Sequence, residues 1–146
     1  MAQAAPTSGG MPRSGRTPDV FSTRMHARAR VAIPVVTGLI YGYWAAANRR
    51  MGGPITGWNL LFGFLTALVF AVVLFGVLTV APRLRRELHA VLWTAFMGTA
   101  FGFLYSQSGE SILRCIAMSL AVAAVTFIVM FYRFYTHEDA VGHRIR

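Results

Sequence analysis

Leu60–Val80 reads LLFGFLTALVFAVVLFGVLTV. These 21 residues hold no charge and no proline. Coiled as an α-helix, they are about 30 Å long, which matches the hydrocarbon core of a bilayer. Lipid offers no partner to a backbone amide, so the segment satisfies its own hydrogen bonds and is helical. Barrel strands are excluded, because the run is too long and shows no alternation. Pro82 ends it. This one stretch places the chain among all-α polytopic integral membrane proteins.

Three further apolar runs lie around it. The four expected spans are about 31–48, 59–81, 88–105 and 112–132. Pro34 falls in the first turn of the first span, where a missing N–H is tolerated. The connections 49–57, 82–87 and 106–111 are short, so consecutive spans are antiparallel neighbours in two hairpins. Residues 1–30 are rich in Pro, Gly, Ser and Arg and poor in apolar residues, which predicts a disordered basic cytoplasmic tail. Residues 133–146 form a short cytoplasmic C-terminal tail.

Composition agrees with insertion into lipid. The chain has 146 residues, 55% hydrophobic and 13% charged, with net charge +9. A soluble domain carries about twice that charged fraction. All 14 basic residues are arginine; such usage suits GC-rich codons and points to a bacterial source. The arginines flank apolar runs rather than form a basic face, which argues against nucleic-acid binding. Those of the N-terminal tail, Arg83, Arg85, Arg86, Arg133, Arg144 and Arg146 fall on one side, against Arg49, Arg50 and Arg114 on the other. The positive-inside rule then sets both termini in the cytoplasm of a plasma-membrane protein. The richer face meets anionic headgroups, at about 1 kcal/mol per arginine. Tyr41, Tyr43, Trp44, Trp58 and Tyr105 are expected at the outer interface, and Trp93, Tyr132 and Tyr135 at the inner. Ala45-Ala46-Ala47 loosely imitates a signal-peptidase site, but bulky Tyr43 and Trp44 before it, with Pro34, favour a retained span.

Small residues supply the clearest internal pattern. Gly38-Leu39-Ile40-Tyr41-Gly42-Tyr43 and Gly98-Thr99-Ala100-Phe101-Gly102-Phe103 share G-x-x-aromatic-G-aromatic. Gly38, Gly42 and Ala46 make one four-residue stripe, and Thr94, Gly98, Gly102 and Ser106 another. Such stripes let helix backbones approach closely. The two hairpins are therefore expected to be pseudo-repeats, with the first and third spans packed through their glycines. Ala117 and Ala121 make a weaker stripe in the fourth span.

Chemistry-bearing groups are sparse. The five acids, Asp19, Glu87, Glu110, Glu138 and Asp139, lie in tails, loops or span edges. A four-span proton-coupled exporter of cations needs a carboxylate inside the membrane, so that function is set aside. Glu110 and Arg114 are spaced i,i+4 at the outer edge, as an interfacial charge pair. His137-Glu138-Asp139 with His143 lacks the H-E-x-x-H spacing, and no metal or cofactor is expected. Cys115 in its apolar run is a small buried hydrophobe. Neither a nucleophile elbow nor a phosphate loop occurs, and His89 reads as an interface residue. The expected function is non-enzymatic: an accessory or assembly subunit that packs with itself or a larger membrane protein. The alternative is a homo-oligomeric pore or carrier for a small neutral solute, lined by the Thr/Gly/Ser stripe of the third span.

Overall fold

The computed structural model describes residues 23–137. It contains four helices: α1 (Thr23–Arg50), α2 (Gly57–Val80), α3 (Arg86–Ser106) and α4 (Ile112–His137). A single 3-10 turn, Ala81–Arg83, links α2 to α3 and carries Pro82 near its start. No strand occurs among the described residues. All four helices are long and apolar enough to cross a membrane. The expected behaviour of residues 1–22 and 138–146 lies outside the described residues, and with it Asp19, Glu138, Asp139 and His143.

Two helix boundaries differ from the hydropathy reading. α1 begins at Thr23 rather than near residue 31, because TRMHARAR is polar but rich in strong helix formers. Pro34 is therefore inside the helix and fully buried, not in its first turn. The hydroxyl of Thr37 donates to the Ile33 carbonyl at 2.7 Å just beyond it. α4 likewise runs on to His137, past the expected end at residue 132.

Local chemistry fixes the turns. Arg49 and Arg50 close α1, where cations complement the partial negative charge of a helix C-terminus. Gly52 follows at φ +83, a left-handed conformation that costs glycine little. The Thr56 hydroxyl caps α2 by accepting from Asn59 N at 3.2 Å. Gly109, at φ +76, turns the chain between α3 and α4 and meets the Met51 side chain of the first loop.

The helices pack two by two. α1 lies on α2, and α3 on α4. α3 alone connects the hairpins, through light contacts with α1 and α2, and α4 approaches neither of those helices among the described residues. The tightest core is made of small groups: Gly42, Ala45, Ala46, Gly63 and Ala67 are all buried between α1 and α2. Both interhelical loops of the hairpins lie at one end of the bundle. The α2–α3 turn lies at the other.

Candidate functional site

The glycine stripes face into each hairpin. A Cβ built on Gly38 would lie 2.7 Å from the Ala67 carbonyl oxygen, and one on Gly42 would lie 2.7 Å from Ala67 Cβ. A Cβ on Gly98 would lie 2.9 Å from Ala123 Cβ, and one on Gly102 2.7 Å from Ser119 Oγ. The expected packing of α1 on α3 through these glycines is therefore corrected: their partners are α2 and α4. Short loops make the next helix in sequence the nearest in space. The same pairing turns Gly98 and Gly102 toward α4.

The two hairpins are built alike around these stripes. Gly38 meets Ala71 and Gly42 meets Ala67, while Gly98 meets Ala123 and Gly102 meets Ser119. A side-chain bond joins each pair. Asn59 Nδ2 donates to the Ala46 carbonyl at 2.9 Å, and Ser119 Oγ donates to the Gly98 carbonyl at 2.7 Å.

Where the hairpins part, an apolar groove opens between α2 and α3, floored by α1. It encloses about 610 Å³. Phe62, Val69 and Phe70 of α2 face Leu92, Phe96 and Phe103 of α3 across it. Tyr41 sits at its base. Its ring stacks on Phe70 with centroids 4.2 Å apart, and its hydroxyl donates to the Ala100 carbonyl at 2.6 Å. Asn48 Nδ2 adds a second bond between hairpins, to the Leu104 carbonyl at 3.3 Å. Tyr41 was expected in the outer aromatic belt; it is instead the half-buried strut of the groove, whereas Tyr43 and Trp58 are exposed.

A second cavity of about 520 Å³ adjoins the groove at the loop end. Phe62 and Leu65 line both. Arg49, Arg50, Thr56, Trp58 and Asn59 line the rest of this mouth. The Arg49 guanidinium lies 4.4 Å from the Phe62 ring centroid, a cation–π distance. Arg50 Nε is buried and has no hydrogen-bond partner among the described residues. The sequence reads both as orientation charge, and alternatively as an outer-edge anion contact beside Arg114, which does not line this mouth.

The remaining candidates are isolated from this site. Arg114 Nη1 donates to Glu110 Oε2 at 2.9 Å on the exposed start of α4. Cys115 is buried, with its Sγ 3.9 Å from the Glu110 carbonyl. His89 stacks on Phe134 at 4.1 Å, pinning α3 to α4 at the end away from the hairpin loops. No cluster of three His, Cys, Asp or Glu able to hold a metal occurs among the described residues. Chemically, then, the assembled elements are an apolar slot and a cationic mouth. No protein-family model, curated protein or solved structure matches this chain.

Proposed function

We propose that the chain is a non-enzymatic accessory or assembly subunit of a bacterial plasma membrane, with both termini in the cytoplasm. One observation carries the reading: among the described residues, α4 is held on one side only. Ser119 and Ala123 face α3, and at 100° per residue Ala117, Ala121 and Ala124 fall on the opposite face. All three are exposed. Small residues there give another helix a close approach of the kind both hairpins use internally. The orientation rests on arginine placement. Arg28, Arg30, Arg83, Arg85 and Arg133 belong to the end that carries the start of α1 and the end of α4.

The experiment is extraction of the tagged full chain from its own membrane in polymer-bounded lipid discs, followed by native mass spectrometry. A stoichiometric larger membrane protein is expected, and Ala121→Trp should abolish its co-extraction while the chain still folds. A defined homo-oligomer with solute flux in liposomes would overturn the subunit reading in favour of a pore or carrier.

A further inference from the structure

We propose that the groove between the hairpins holds an acyl chain of an anionic phospholipid, whose phosphate is bound by Arg49 and Arg50 at the mouth. The inference does not rest on the subunit reading, since it concerns the isolated chain. Three features of the two cavities carry it.

The first is continuity. Phe62 and Leu65 line the apolar slot and the arginine mouth alike, so the two cavities adjoin end to end. The α2 wall of the slot extends from Phe62 to Val77, about 22 Å of helix. That length spans most of a bilayer leaflet and part of the next. A molecule filling both cavities is therefore long, apolar along its body and polar at one end.

The second is charge. Arg49 and Arg50 both line the mouth, and no carboxylate among the described residues does. At that end of the bundle Glu110 is the sole acid among the described residues, and it is engaged by Arg114 at 2.9 Å. Arg50 Nε is buried with no acceptor among the described residues, which leaves a donor of this side chain to pair. Arginine presents a planar fork of donors matched to phosphate oxygens. Arg49 is already steadied over the Phe62 ring, so less freedom is lost when it binds.

The third is depth. Exposed Trp58 lines the mouth, and amphipathic aromatic rings of this kind sit between headgroups and hydrocarbon. The mouth is thus at phosphate height and the slot at acyl height. A soluble phosphate would use the arginines and leave the slot unfilled. A partner helix would fill the slot and leave Arg50 Nε without an anion. A phospholipid satisfies both at once.

The test is native mass spectrometry of the purified full chain in mild detergent, titrated with phosphatidylglycerol or phosphatidylcholine of identical acyl chains. Phosphatidylglycerol should be retained about 30-fold more strongly, the factor that corresponds to about 2 kcal/mol for two arginines. Arg49→Gln with Arg50→Gln should cut that preference at least tenfold. Arg114→Gln, at the same end but outside the mouth, should leave the preference intact. Ala95→Trp fills the slot from an exposed position of α3 and should reduce retention of both lipids at least tenfold; Thr99→Trp, also exposed on that wall, is the second filling variant. Circular dichroism confirms that each variant is folded. Equal retention of the two lipids by the unmodified chain would overturn the proposal. So would a preference cut less than tenfold by removal of Arg49 and Arg50, or retention unchanged in both filled-slot variants. Retention of inorganic phosphate alone, with no lipid, would also overturn it.

Discussion

Gly42→Ala probes the hairpin architecture at its tightest point. The added Cβ would press on the Gly63 carbonyl oxygen and lie 2.7 Å from Ala67 Cβ and 2.8 Å from Ala67 N. Carbon–carbon contact is comfortable from about 3.5 Å, so α1 and α2 must separate by about 1 Å where they cross. Two of the three obstacles are backbone atoms, which no rotamer change can move. A gap of about 0.5–1 Å forfeits a quarter to a half of each dispersion contact. Overpacking costs about 1–3 kcal/mol, and rigid backbone obstacles place this site near the top of that range. Alanine also returns about 1 kcal/mol through helix propensity, leaving a net loss of about 2 kcal/mol. Gly76 is the internal control, because a Cβ there meets nothing within 4 Å. Both substitutions are Gly→Ala within helices, so their difference cancels propensity and isolates packing at about 3 kcal/mol. Reversible unfolding by SDS in mixed micelles, followed by circular dichroism, reads that difference. If the two variants unfold within about 0.5 kcal/mol of each other, close glycine contact is not what holds α1 to α2.

Gly102→Ala should cost less than Gly42→Ala in the same unfolding assay, about 1 kcal/mol, because its nearest obstacle is the Ser119 side chain rather than backbone. Tyr41→Phe removes the bond to the Ala100 carbonyl and should cost about 0.6 kcal/mol, the average for such bonds in membranes; hydrogen exchange should rise in α3 around Ala100 while the α1–α2 contact stays protected. Glu110→Gln breaks an exposed ion pair and should leave the SDS midpoint unchanged; a clear drop would mean that the pair is structural.

The spans were legible because hydropathy reports directly on which segments lipid accepts. The helix ends were less so, since TRMHARAR is a poor lipid segment and a good helix, and hydropathy registers only the first property. The glycine stripes were recognisable as packing surfaces from α1 and α3 alone. Their partners were misread, although Gly63, Ala67 and Ala71 in α2 and Ser119 and Ala123 in α4 repeat the four-residue spacing. Matching odd-numbered stripes to even-numbered ones would have found the pairing. Tyr41 and Tyr43 show what composition omits. They lie about 200° apart around α1, so one enters the groove while the other meets the bilayer, and only the position of α3 decides which. The arginine mouth was hidden for a related reason: Arg49 and Phe62 are 13 positions apart, and no pattern within one helix links them.

The two-by-two pairing has a consequence for the order in which the molecule forms. Within the first hairpin the glycine contacts reach no farther than from Gly38 to Ala71, and Asn59 bonds Ala46 only 13 residues away. The bonds between hairpins span 59 and 56 residues. Closing a short loop costs little chain entropy, so local pairs form ahead of distant ones. During synthesis the first hairpin possesses all its principal contacts once α2 has emerged, before α3 has followed it out. The second hairpin completes itself in the same self-sufficient way. Docking of one finished hairpin on the other is then the last and most weakly driven event of biogenesis, and the groove comes into being only at that step.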